Sequence, residues 1–204
     1  MSVSEIAFTE AVKAVQERLG SRAFIEEQIS VRDWRHEIDA DLAAFIAVRD
    51  SLFLATVNGE GQPYIQHRGG PPGFVKPLGP RALGFADFAG NRQYISIGNL
   101  SENDKVALIM VDHASSTRIK IWGRARVVED DADLIAGLHH PAYAARPERA
   151  IVIEVDAWDV NCPQHIPQLY PEEVIRQVTA KLTARLAELE AENAELRQWM
   201  GQKG

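Results

Sequence analysis

The stretch S-L-F-L-A-T-V-N-G-E-G-Q-P-Y-I-Q-H, Ser51 to His67, carries the reading of the fold. Apolar residues alternate through Ser51–Val57, the pattern of a strand with one buried face. N-G-E-G then offers glycines for a tight reversal before Pro63–His67 resumes the alternation, so the segment reads as a β-hairpin. The pattern recurs downstream. Phe74–Leu78 and Ala82–Phe88 flank the turn G-P-R, Lys105–Asp112 and Arg118–Val128 flank H-A-S-S-T, and Ala150–Val155 follows a short helical insert around Asp131–Leu138. Upstream the period changes. Phe8, Val12, Val15 and Leu19 recur at helical spacing up to Gly20, and Asp39–Val48 carries Leu42, Phe45 and Ile46 on one face. Short turns between strands, with helices at the edges, predict an α+β domain built on a closed antiparallel barrel. The chain from Pro171 to Met200 reads as one helix charged on most faces. The expected division is therefore residues 1–170 as barrel with N-terminal helices and 171–204 as an appendage.

The composition narrows the function classes. A chain of 204 residues with 46% hydrophobic content can bury a full core, and a formal net charge of −7 argues against broad nucleic-acid binding. The first residues lack a signal-peptide pattern and no run approaches the roughly 20 apolar residues of a membrane span, so the expectation is a cytoplasmic protein without membrane contact. Cys162 stands alone, which excludes an internal disulfide, and the six histidines show no H-x-x-x-H or H-E-x-x-H spacing, so no metal site is expected.

Two segments concentrate unusual residues. Q-H-R-G-G-P-P-G-F-V-K, Gln66 to Lys76, places an arginine, three glycines and two prolines at the end of a strand. It is either a wide loop or backbone brought close to something flat and anionic. A-G-N-R-Q-Y-I-S-I-G-N-L follows the fourth strand. There Gly90 and Asn91 can form a turn or cap, and Arg92 and Gln93 would open a short helix whose first N–H groups have no internal partner. Such a start beside an arginine is a phosphate site, unless the arginine is simply solvated. Trp122 and Trp158 read as core, His139 and His140 as a solvated loop, and E-D-D-A-D at 129–133 as a helix start.

In order along the chain, F-L-A-T-V-N-G-E-G-Q-P, Q-H-R-G-G-P-P-G-F, F-A-D-F-A-G-N-R, L-S-E-N-D-K-V-A-L-I-M-V-D and I-K-I-W-G-R-A-R-V-V resemble the flavin-binding split-barrel family typified by pyridoxamine 5′-phosphate oxidase. The resemblance covers about Phe45 to Val160. It implies an antiparallel split β-barrel with peripheral helices, and a homodimer with FMN at the subunit interface. Arg92 in G-N-R then matches the family's phosphate-binding arginine, beside Asn91. Gln93 stands where many members have lysine, leaving Arg68 or Lys76 to compensate. Arg118 matches the position that reaches the partner's flavin. Gly69, Gly70 and Gly73 would let main chain approach the ring, next to Gln66 and Arg68. The implied activity is that of an FMN-dependent oxidoreductase acting on a small organic substrate, possibly with NAD(P)H, or of a flavin reductase, with no catalytic residue assigned. The second reading is a non-catalytic flavin- or haem-binding module, and a third is an interaction protein that uses the barrel as scaffold.

The chain departs from the family in N-C-P-Q-H-I-P and the charged helix that follows, within the unusual stretch W-D-V-N-C-P-Q-H-I-P-Q-L-Y-P, Trp158 to Pro171. This segment either closes over the flavin pocket through Gln164 or His165, or crosses over to the last helix, or holds a Cys162–His165 nucleophile pair. In the tail, Leu182, Leu186, Leu189, Asn193, Leu196 and Met200 follow alternating spacings of four and three residues. That places Leu186, Asn193 and Met200 at a, and Leu182, Leu189 and Leu196 at d, of a seam that would meet a second copy or pack back on its own barrel.

Overall fold

The computed structural model of the chain describes residues 2–161 and 163–202. After a 3-10 turn at Val3–Ile6 come α1 (Glu10–Arg18), α2 (Arg22–Val31) and α3 (Ala40–Ala47), then β1 (Ser51–Val57), β2 (Pro63–Gly69), β3 (Lys76–Gly79) and β4 (Ala82–Phe88). The remainder is α4 (Ile95–Glu102), β5 (Lys105–Asp112), β6 (Thr117–Val128), α5 (Ala132–Leu138), β7 (Pro147–Asn161) and α6 (Glu172–Gly201). Among the described residues no helix is long and apolar enough to cross a membrane.

All the strands join one seven-stranded antiparallel sheet in the order β2-β1-β5-β6-β7-β4-β3. This is the expected α+β split β-barrel, with its split between the edge strands β2 and β3, which no ladder joins among the described residues. β6 and β7 are long enough to serve both halves of the sheet, and their register shifts between Trp122 and Gly123. Only glycine fits at that bulge, because a Cβ on Gly123 would lie 2.1 Å from the Glu154 carbonyl oxygen.

The pleat sends Leu52 and Leu54 of β1, Leu83 and Phe85 of β4, Leu108 and Met110 of β5, Ile121 of β6 and Ile151 and Ile153 of β7 into one core. α3 covers it with Leu42 and Ile46, and the Asp39 carboxylate caps that helix by accepting the Leu42 N–H at 2.9 Å. Trp158 completes the core as expected, donating its indole N–H to the Glu37 carbonyl at 2.8 Å. Trp122 does not: it is half-buried on the outer face, stacked 4.7 Å from Trp34. That face also carries cross-strand rows His67–Phe53–Ile109 and Ile65–Ala55–Ala107–Trp122, with Phe53 45% and Ile65 62% exposed.

The chain divides into two compact units. One runs up to Asp112 and resumes over Thr117–Gln164; the other comprises His113–Ser116 and the residues from His165 on. In the second unit α6 is an unbroken helix with no buried side chain, braced by Arg176–Glu172 and Arg185–Glu188 ion pairs, each at 2.8 Å.

Candidate functional site

The inward rows of three strands stop being apolar at the same end of the sheet. On β2, Gln66 and Arg68 lie opposite the core residues Leu54 and Leu52, so they too face inward. On β4 the row Leu83, Phe85 continues into Asp87, and on β7 the row Ile153, Ile151 continues into Arg149, its cross-strand partner. Arg68 thus reaches from one edge of the sheet to Asp87 near the other and pairs with it through Nη1. Asp87 is only 6% exposed. Burial pushes its carboxyl above the ordinary carboxylate range, the nearby Arg68 and Arg149 pull it back, and Glu148 adds to the rise. Arg149 lies 3.5 Å from Asp87, 3.0 Å from Glu129 and 3.3 Å from Glu148, with its guanidinium over the Tyr94 ring. Its charge is committed. Arg68 is held by Asp87 alone, and the buried Nε atoms of Arg68 and Arg149 both lack a hydrogen-bond acceptor in the described structure.

Gln66, Arg68, Asp87, Glu148 and Arg149 line a cleft of about 190 Å³ together with Phe88, Gly90, Asn91, Arg92, Tyr94, Ser96 and Ile97. The segment before α4 forms its rim. Asn91 accepts the Gln93 N–H at 3.2 Å, closing a small turn, and Arg92 and Tyr94 sit in the left-handed region with φ of 60° and 52°. The helix therefore starts at Ile95 and not at Arg92 as the sequence suggested, because two left-handed residues cannot continue a right-handed helix. Ser96 and Ile97 of its first turn line the cleft, where Ser96 donates its hydroxyl to Gln66 Oε1 at 2.9 Å. Arg92 is exposed and makes no ion pair or hydrogen bond through its guanidinium among the described residues.

Of the residues singled out in the sequence, the fold gathers Gln66, Arg68, Asn91 and Arg92 around this cleft, with Gln93 beside its rim. Lys76 is elsewhere, donating its ammonium to the Gly137 carbonyl at 2.6 Å, and Arg118 lies on β6 between Val111 and Asn161. Gln164 is exposed at the end of the first unit and His165 begins the second. Cys162 lies outside the described residues. The glycines have an intramolecular reason to be glycine. A Cβ on Gly70 would come within 2.6 Å of Phe74, and Gly73, at φ 76°, would bring one to 2.9 Å from the Ala47 carbonyl oxygen. Gly69 ends β2, where its Cβ would lie 3.1 Å from the His67 ring.

Asp87, Glu148 and Arg149 escaped the sequence reading. The available signal was a charge at the inward position of a strand pattern. For Asp87 it was present in L-G-F-A-D, while starting the last strand at Ala150 cut Arg149 off from its row.

Residues 38–162, more than half of the chain, match the family model described as pyridoxamine 5′-phosphate oxidase. Among solved structures, HupZ from Group A Streptococcus superposes with a TM-score of 0.50 at 16% identity, covering 65% of this chain and 99% of that one. An FMN-binding protein from Syntrophomonas wolfei gives 0.47 at 13% identity, with 69% and 95% covered. HutZ, a haem storage protein from Vibrio cholerae, gives 0.41 at 17% identity, with 60% and 94% covered. None of the curated proteins compared matches the chain. The family match spans the whole sheet with the cleft at its split edge, and the chain belongs to the pyridoxamine 5′-phosphate oxidase family.

Proposed function

We propose that the protein binds FMN and works as an FMN-dependent oxidoreductase on a small organic substrate, or as a flavin reductase. The observation that carries this reading is the cationic lining of one cleft: the exposed Arg92 guanidinium is unpaired among the described residues, and Arg68, held by Asp87 through Nη1, keeps a buried Nε without an acceptor. Both suit a phosphate dianion, and Ser96 and Ile97 add the first turn of a helix, whose N–H groups have no internal acceptors. These residues fit the phosphate end of the cofactor. Bound FMN would supply two-electron hydride chemistry, while the chain's own groups bind and orient it.

A cleft of about 190 Å³ is smaller than the several hundred Å³ of a typical cofactor site, so the flavin ring needs a further surface. A homodimer provides one. The apolar outer rows around Phe53, Ile65 and Ile109 are a patch that a second copy would cover. For the haem-binding alternative the cleft lining offers Tyr94 as its one possible axial ligand and no histidine, cysteine or methionine.

The test is an absorption spectrum of the purified protein followed by titration of apoprotein with FMN and with riboflavin. FMN is expected to bind more tightly, and Arg92→Ala to weaken it about ten- to a hundredfold through the loss of a charge-assisted hydrogen bond. Equal affinity for FMN and riboflavin would remove the phosphate assignment. NADPH consumption that depends on bound flavin separates an enzyme from a binding module.

A further inference from the structure

We propose that α6 pairs with α6 of a second copy in a parallel, in-register, two-stranded coiled coil. The helix begins at Glu172 and runs unbroken to Gly201, roughly 45 Å at 1.5 Å per residue. Its early start extends the a/d repeat back through Thr179 at a and Ile175 at d, so the seam from Ile175 to Met200 spans about three and a half heptads, enough to sustain a coiled coil. Every seam leucine is uncovered, from 45% exposed at Leu189 to 65% at Leu182. A helix this long without a buried face draws little stability from propensity alone.

Charge identifies the occupant as another copy of the same helix. Arg185 and Glu192 fall at g, Glu190 and Arg197 at e. In a parallel in-register pair, Arg185 meets Glu190 and Glu192 meets Arg197 of the opposite chain, all of opposite sign. Within one protomer Arg185 pairs with Glu188, while Glu190, Glu192 and Arg197 make no ion pair among the described residues.

Asn193 fixes the direction. In the parallel register the two Asn193 side chains face each other across the seam and can exchange a hydrogen bond. In an antiparallel pair a positions pack against d positions, so each amide would face Ile175, Leu182, Leu189 or Leu196 and lose its partner. The inference rests on the dimer reading only in requiring that two copies meet.

The experiment uses the full chain with Cys162→Ser, adding Leu182→Cys or Leu196→Cys at d, or Ala191→Cys at the outward f position. Under mild oxidation, each d variant is expected to form a disulfide with its own counterpart about tenfold or more faster than the Ala191→Cys control. Equal rates at d and f overturn the proposal. So does cross-linking that appears only when Leu186→Cys chains, labelled at a, are mixed with Leu196→Cys chains, which would mean antiparallel helices. Sedimentation equilibrium on the same samples separates the two readings. A dimer without d-selective cross-linking removes the coiled coil alone, and a monomer removes the coiled coil and the dimer together.

Discussion

Alanine at Gly123 and alanine at Gly98 are the same chemical change with opposite expected signs. At Gly123 the new Cβ would lie 2.1 Å from the Glu154 carbonyl oxygen, 3.1 Å from its carbonyl carbon and 3.1 Å from a methyl of Ile153. Ordinary contact between carbon and oxygen requires more than 3 Å, so β6 and β7 would have to part by about 1 Å at the bulge. Parting them strains ladder hydrogen bonds on either side, worth about 1 kcal/mol each, and disturbs the packing of Ile121 and Ile153, for which overpacking costs about 1–3 kcal/mol. The sum is about 3–5 kcal/mol. In a protein of this length that lowers the Tm by roughly 6–20 °C. At Gly98, inside α4, an added Cβ meets nothing within 4 Å. Gly98→Ala should therefore stabilise by about 0.5–1 kcal/mol through the lower entropy of the unfolded chain. Circular dichroism at 222 nm during thermal and urea unfolding reads both. A Gly123→Ala protein that melts within about 2 °C of the wild type would refute the close approach of β6 and β7.

The remaining predictions concern polar groups. Thr56→Val should cost about 1–3 kcal/mol in urea unfolding, because the buried Asn99 amide donates to the Thr56 hydroxyl at 2.9 Å and would lose its acceptor; an unchanged midpoint refutes that bond. Burial works to raise the Asp33 carboxyl, but hydrogen bonds from Ser2, Val3, Ser4 and Trp34 outweigh it and hold the group at about 2. A depressed carboxyl contributes stability that is present above the unfolded value and lost as pH falls from about 4 towards 2. Asp33→Asn should thus remove about 1 kcal/mol at neutral pH, allowing for solvent screening, and flatten the acid limb of the stability profile. Asp87 has the reverse sign: its carboxyl is raised, so its contribution is fully present below the unfolded value and declines as pH rises through the folded one. Asp87→Asn should erase that decline and, by freeing Arg68 from its carboxylate, tighten FMN about tenfold without affecting riboflavin, as read by apoprotein titration; a weakened FMN complex would mean that Asp87 positions Arg68.

Much of the fold is local and was legible from the sequence. Period-two alternation located β1, β4 and β5 with their observed limits, and Asp39 and Asp131 marked helix starts that their carboxylates do cap, at Leu42 and Leu134. α2 was missed: Ser21 makes no side-chain cap there and the helix buries no residue, so neither a stop signal nor an apolar stripe announced it. Arg68 and Arg92 were legible as cations near strand ends.

The sequence by itself determined the family, the run of strands and the heptad spacing of the tail, because each is written in neighbouring residues. Only the tertiary structure decided which charges meet. Arg68 and Asp87 are 19 positions apart and Asp87 and Arg149 come from different hairpins, so their contact exists only once β4 pairs with β7 and β2 is left at the opposite edge of the sheet. Tertiary packing likewise drew Lys76 away to Gly137 and gave Gly73 and Gly123 their reasons, since a close approach between distant segments is a property of packing and leaves no mark on the local pattern.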